Sequence, residues 1–112
     1  MIKSCIKKKI LENAVPLEKF GMNDLTWGKE NAKKLIITLM QDEIGILGGS
    51  VYKIDFDNLI PMYDNWSCTL DAKETSKEFF FRSKIKALEY IDKYPIYSGE
   101  NILFSIVFSE DM

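Results

Sequence analysis

The residues from Ile102 to Phe108 are the part of this sequence that most constrains its fold. Only Ser105 interrupts an otherwise apolar run there. A run this short and this apolar is typical of a strand in the middle of a β-sheet. The chain has 112 residues, enough for one domain core but not for a second. We therefore expect one domain, residues 1–112, built around this strand.

Three other segments show the apolar spacing of amphipathic helices. We predict the first over about residues 3–14, the second over about residues 29–42, and the third from Thr75 or Ser76 to Pro95. Thr75 and Glu78 match a capping box at the start of the third helix, and Pro95 ends it. The residues predicted to face the core are Ile2, Ile6 and Ile10, then Ala32, Leu35, Ile36, Leu39 and Met40, and finally Phe81, Ile85, Leu88 and Ile91, flanked by Phe80, Ala87 and Tyr94.

Between the second and third helices the pattern changes to that of strands. Residues 44–55 are predicted as a strand with a bulge or bend at Gly48-Gly49. Asp57-Asn58 favours a turn, and residues 59–63 can then return antiparallel as a hairpin. Residues 64–74 are polar and are predicted to be irregular.

The predicted fold class is α+β, with a small antiparallel β-sheet (the hairpin plus the C-terminal strand) and about three helices packed on it. Pro61 favours an edge position for the returning strand, since proline cannot donate to the ladder. A short turn is expected over residues 17–20, with Gly21 as its C-terminal stop. Solvent-facing pairs are expected on the third helix, Glu78 with Arg82 and Glu89 with Lys93.

The composition argues against most kinds of chemistry. Histidine is absent, which removes the commonest general base near neutral pH and the commonest metal ligand. Cys5 and Cys68 lie far apart and have no spaced partners, so we expect no zinc site and a chain kept reduced in the cytoplasm. Cys5 is expected to be a small core residue. We therefore expect no catalytic residues, no metal and no cofactor.

Nucleic acid and membranes are not expected as partners either. The formal net charge is −2, and no basic surface is apparent from the sequence. The N-terminal segment has no continuous apolar run, so it resembles neither a signal peptide nor a membrane span.

Acidic and aromatic residues are concentrated between positions 44 and 71. In this stretch Lys53 stands alone against four aspartates, and such a surface can steer a basic partner. Loop aromatics beside it can supply binding area with few rotors to freeze. The candidate partner-binding residues are Tyr52, Asp55, Asp57, Tyr63, Asp64 and Trp66.

Each of these residues also has a structural interpretation. The charges can simply face water, and Asp55 with Asp57 can form a solvated hairpin tip instead of an acid–base or metal-binding pair. Trp66 can close the open end of the core instead of contacting a partner. Trp27, just before the second helix, is expected in the core.

Several ordered segments together resemble a known family. They are Leu25 to Ala32, Ile46 to Tyr52, Tyr63 to Trp66, Arg82-Ser83, Glu89 to Ile91 and Ile102 to Phe104. This set is similar to immunity protein 40, a family of bacterial polymorphic-toxin immunity proteins. The resemblance implies a cytoplasmic protein that binds a secreted toxin and spares the producing cell.

Three hypotheses follow for the function. The first is an immunity protein that blocks a cognate toxin domain, with a basic nuclease as one candidate, and is itself a monomer or a weak homodimer. The second is a small regulatory or ligand-binding module with a pocket around Tyr52, Tyr63 and Trp66. The third, an enzyme built on Asp55 and Asp57, is the least favoured by the sequence.

Overall fold

The computed structural model describes residues 2–110, which form three α-helices and one five-stranded antiparallel sheet. The fold class is therefore α+β, as predicted. The helices are α1 (Ser4–Leu11), α2 (Lys29–Thr38) and α3 (Ser76–Lys93), and the strands are β1 (Val15–Pro16), β2 (Leu25–Gly28), β3 (Ile46–Asp55), β4 (Asn58–Ser67) and β5 (Asn101–Phe108). None of the helices in this part of the chain has the length and apolar character needed to cross a bilayer.

The strands follow the spatial order β1-β2-β5-β3-β4. The prediction of a central C-terminal strand is confirmed, because β5 pairs with β2 on one side and with β3 on the other. β3 and β4 form the predicted hairpin, and β4 occupies an edge of the sheet, as Pro61 indicated. The sheet therefore presents one side of this hairpin without a neighbouring strand among the described residues.

The core lies between one face of the sheet and the three helices. Trp27, Phe104 and Val51 stand side by side across three paired strands, and all three belong to the core cluster. The opposite face of β5 is covered as well, since Leu103 and Ser105 are each only 4% exposed. Burial on both faces explains why this strand is a nearly continuous apolar run.

Helix α2 has the predicted apolar face but ends earlier than expected. Leu35, Ile36 and Leu39 are buried, and helical geometry stops at Thr38 instead of continuing to residue 42. The buried ammonium of Lys84 lies at this end, where Nζ donates to the carbonyl oxygens of Leu39 at 2.8 Å, Met40 at 3.3 Å and Asp42 at 2.8 Å. Lys84 thus gives a charged donor to carbonyl oxygens just past the end of α2, and two of these also accept a backbone amide, Leu39 from Asp42 and Asp42 from Ile44.

The predicted phase of α3 was wrong. Its buried residues are Phe79, Ser83, Lys84, Ala87 and Ile91, whereas Phe81 is 50% exposed and Ile85 and Leu88 are only partly buried. The apolar spacing gave the wrong face because two polar side chains are buried to satisfy backbone groups. Ser83 Oγ accepts a hydrogen bond from the amide of Ile46 at 3.0 Å, and Lys84 caps α2.

The first helix is shorter than predicted. It ends at Leu11, and the chain then becomes extended at Glu12 and adopts a left-handed conformation at Asn13. Cys5 is exposed rather than in the core, since the buried face of α1 carries Ile6 and Ile10.

Two further details differ from the predictions, and one confirms them. β1 and β2 were not predicted, because their two and four residues are too short for a strand pattern. β4 continues to Ser67, so residues 64–67 are not irregular as predicted. Gly21 does end the short helical turn Glu18–Phe20 in the left-handed conformation, as expected.

The first stability prediction uses the two faces of α2. Leu39 is fully buried whereas Ile37 is 59% exposed. Leu39→Ala should lower the free energy of unfolding by about 2–5 kcal/mol, because it removes buried apolar volume and leaves a cavity. Ile37→Ala is the control and should change it by less than about 1 kcal/mol. Urea denaturation measures both, and equal losses would contradict this assignment of the helix faces.

The second stability prediction concerns the buried lysine. Burial lowers the pKa of Lys84, and the nearby Asp42 carboxylate opposes that shift. Lys84→Met keeps most of the volume but removes the ammonium that donates to three carbonyl oxygens, of which those of Leu39 and Asp42 keep a backbone amide donor, so the free energy of unfolding should fall by about 1.5–3 kcal/mol. Lys77→Met, at an exposed site of the same helix, should stay within about 0.5 kcal/mol of the parent. A Lys84→Met protein as stable as the parent would show that this cap does not stabilise α2.

Candidate partner-binding hairpin

The β3–β4 hairpin carries all six candidate residues, and two of them lie at its tip. Asp55 pairs with Asn58, so the connecting loop is the two-residue segment Phe56-Asp57, one position earlier than the predicted turn. Asp55 and Asp57 are both exposed. The tip therefore presents two carboxylates on either side of an aromatic ring.

Phe56 is a residue that sequence reasoning missed. It is 91% exposed and has a φ of 58°, a left-handed conformation that glycine normally adopts at the first position of a two-residue hairpin loop. A bulky L-residue pays roughly 1–2 kcal/mol to adopt that conformation. The only sequence signal was an aromatic residue flanked by aspartates in a turn, where a glycine or asparagine is ordinary.

A bulge places the second exposed aromatic residue on β4. Ser50 pairs with Asn65 and Tyr52 with Pro61, so three residues, Met62, Tyr63 and Asp64, lie opposite Val51 alone. Tyr63 has a φ of 60° and is 87% exposed. The bulge thus turns the Tyr63 side chain out of the ladder and into solvent.

Asp64 is fixed in position by a residue of α3. The hydroxyl of Tyr94 donates to Asp64 Oδ2 at 2.6 Å. Burial and this hydrogen bond raise the pKa of Tyr94 well above its usual value. The carboxylate beside Tyr63 is therefore held by the helix layer, and its surface remains exposed.

Trp66 and Tyr52 lie on opposite faces of the sheet. Trp66 is opposite Gly49 on the core face, only 7% exposed, and its ring stacks on that of Tyr90 at a centroid distance of 4.8 Å. Tyr52 is opposite Leu103 on the other face, where burial and the charge of Asp24 raise its pKa.

The pocket around Tyr52, Tyr63 and Trp66, expected under the ligand-binding hypothesis, is therefore not formed. Strand alternation sends the first and last of these rings to opposite sides of the sheet, and the bulge sends Tyr63 into solvent. Trp66 instead borders a shallow groove of about 400 Å³ with Tyr90 and Tyr94. Trp66 is therefore a core residue, which agrees with its structural interpretation.

No metal centre is evident among the residues that the structure describes. In residues 2–110 no group of three or more His, Cys, Asp or Glu side chains is placed to hold a metal ion. Asp55 and Asp57 are exposed side chains at the tip of the hairpin.

Comparison with known proteins supports the family suggested by the sequence. The family model described as immunity protein 40 matches residues 16–108. The chain belongs to this family. No curated protein and no solved structure matches the chain.

Several residues of the segments that resemble immunity protein 40 hold the scaffold together. A Cβ atom at Gly49 would collide with the backbone oxygen of Ser105 and with the ring of Trp66, so only glycine lets this ring lie over the strand. Trp27 is 1% exposed and packs edge-to-face on Phe108. The segments containing Gly49, Trp66 and Trp27 thus have packing roles.

Arg82, another residue of these segments, fastens the loop after β4 to α3. Its guanidinium contacts both oxygens of the Glu74 carboxylate, at 2.6 and 2.8 Å, and donates to the carbonyl oxygen of Thr69 at 2.7 Å. Glu78, its predicted partner, is instead used in the capping box with Thr75. The Arg82 contact lowers the pKa of Glu74.

Gly49→Ala should test the close approach of Trp66 to β3. The added methyl group meets backbone and a buried ring, so the free energy of unfolding should fall by about 1–3 kcal/mol. The near-ultraviolet circular dichroism from the Trp66–Tyr90 stack should also change. Gly28→Ala is the control for an added methyl group that meets no atom within 4 Å, and only the small cost of alanine at the N-cap of α2 is expected there. An unchanged spectrum and an unchanged unfolding midpoint for Gly49→Ala would contradict this packing.

Proposed function

We propose that this chain is an immunity protein that binds a cognate secreted toxin and neutralises it by protein–protein inhibition, without catalysing a reaction. Membership of the immunity protein 40 family supports the toxin-neutralising role. We choose the β3–β4 hairpin as the binding surface because it has exposed carboxylates beside two exposed aromatic rings. Such a combination suits an interface whose anchors are aromatic and whose rim is charged.

The charge of this hairpin favours a basic partner. Asp55, Asp57 and Asp64 are exposed, and the ammonium of Lys53 is occupied by Glu100, whose carboxylate lies 3.4 Å away. The negative charge at the tip is thus not neutralised within the hairpin. A toxin domain with a cationic active-site cleft, as a basic nuclease has, would be steered toward it.

The edge position of β4 bears on how the chain associates. A free strand edge can pair with a second copy, but Pro61 lacks an amide donor and the bulge at Met62 to Asp64 interrupts the ladder. We therefore propose a monomer or at most a weak homodimer.

A cytoplasmic location follows from the proposed role, since the toxin must be neutralised inside the cell that makes it. Neither nucleic acid nor membrane is proposed as a partner.

The double substitution Asp55→Lys with Asp57→Lys tests electrostatic steering by the hairpin tip. The proposed role implies a toxin gene adjacent to the gene of this chain. Against its product, the association rate at low salt should fall by about tenfold or more, and its dependence on salt should weaken. Both side chains are exposed, so the melting temperature should stay near that of the parent. Binding kinetics at two ionic strengths provide the measurement.

A control with the same change in net charge separates local from global electrostatics. Glu12→Lys with Glu43→Lys alters two exposed acids on other parts of the chain. This variant should retain most of the association rate. If both double variants slow association equally, the effect belongs to net charge, and the hairpin is not the steering surface. Failure of the parent chain to bind or neutralise the toxin would overturn the proposed function itself.

A further inference from the structure

Two aromatic residues of the hairpin combine a left-handed backbone with nearly complete exposure. Among the described residues, the non-glycine positions with positive φ are Asn13, Phe56 and Tyr63. Asparagine is ordinary in this conformation, whereas bulky residues are rare in it. Phe56 and Tyr63 are also 91% and 87% exposed, so core packing does not compensate for the strained backbone.

Folding alone therefore gives no reason for an aromatic ring at either position. Glycine at position 56, or asparagine at position 63, would suit the backbone better and would expose less apolar surface. Strained, exposed residues of this kind are characteristic of binding sites, where the surrounding structure holds them in place. The neighbouring strand pairs, Asp55 with Asn58 and Ser50 with Asn65, supply that support here.

We propose that Phe56 and Tyr63 are the two anchor residues of the toxin-binding surface, each filling an apolar pocket on a basic face of the toxin. This inference rests on the proposed function and names the partner chemistry for that site. Each ring has a carboxylate beside it, Asp55 and Asp57 at the tip and Asp64 at the bulge. The complementary surface thus has two apolar pockets, each with a lysine or arginine at its rim.

The spacing of the two rings fits a single interface. The bulge lies opposite Val51, four to five residues from the loop along the hairpin, which corresponds to roughly 15 Å at the usual rise of a strand. A standard interface covers about 800 Å² on each partner, so both rings fit within one footprint. Because Asp64 is held by Tyr94 and the tip by the strand ladder, little ordering is needed on binding.

The geometry also favours recognition by side chains over the addition of a strand. Pro61 and the three-residue bulge that contains Tyr63 interrupt the outer edge of β4. A strand from a second copy or from the toxin would meet a missing donor and a break in register there. The two aromatic rings, by contrast, are almost fully exposed and are accessible to a partner's side chains.

The test replaces each anchor with a residue that suits its backbone, using Phe56→Gly, Tyr63→Gly and the double variant. Binding to the product of the adjacent toxin gene is measured together with thermal melting. Each single change should raise the Kd by about tenfold or more, mainly through faster dissociation. Melting temperatures should be unchanged or higher, since the strain is relieved. Tyr97→Ala removes another highly exposed ring, at 72% exposure, and should leave the Kd unchanged.

A second set, Phe56→Asn and Tyr63→Asn, repeats the test. Asparagine tolerates positive φ and gives the unfolded chain less conformational freedom than glycine does. Loss of affinity in both sets with the fold retained supports the anchor assignment. If the parent binds the toxin and either set keeps its Kd, the anchor assignment is wrong while the proposed function stands. If the changes abolish only self-association, measured by sedimentation, the occupant is a second copy and the assignment is again overturned. A parent chain that does not bind the toxin overturns both.

Discussion

The stacking of Trp66 between Gly49 and Tyr90 is the contact on which the arrangement of the hairpin depends. β4 is an edge strand, and Trp66 is its one buried residue. The absence of a Cβ at Gly49 lets the indole ring lie over β3, and its other side meets α3 through Tyr90. The base of the hairpin is thereby fixed to both layers of the fold, and most other residues of β4 are exposed.

A second set of polar contacts fixes the helix layer relative to that base. Lys84 ties α3 to the end of α2, Ser83 ties it to the start of β3, and Arg82 ties it to the loop after β4. Three consecutive residues of one helix therefore contact three different parts of the chain. Ser83 and Lys84 are buried, and buried polar groups that are satisfied fix relative positions more exactly than apolar contacts alone.

These contacts also explain which parts of the fold could be predicted from the sequence. The central position of β5 and the apolar face of α2 follow from patterns of apolar residues, and the hairpin follows from turn residues and strand periodicity. The phase of α3 does not, because Ser83 and Lys84 are buried for reasons of hydrogen bonding that no apolar count detects. β1 and β2 are set by pairing with β5 and not by their own short sequences.

The candidate site shows the same division. Composition indicated the hairpin, and Asp55, Asp57, Tyr63 and Asp64 are exposed there. Composition did not show that Trp66 and Tyr52 are placed differently from these four residues. Strand alternation sends their rings to opposite faces of the sheet, which follows only once the register is known. Phe56 was not among the predicted binding residues, because its distinguishing property is a backbone angle. That angle follows from the length of the loop and is not visible in the residue type.

Under the proposed function, stability and recognition depend on different parts of one hairpin. Its base carries the buried ring and the glycine that fit the core, while its tip and bulge carry strain and exposed apolar surface that the core does not need. Charge and aromatic area also act on different steps of binding. Exposed carboxylates act at long range and mainly on association, whereas rings inserted into pockets act at contact and mainly on dissociation. An immunity protein built this way could change its preferred toxin through the tip and bulge residues, because the contacts that hold the fold lie elsewhere.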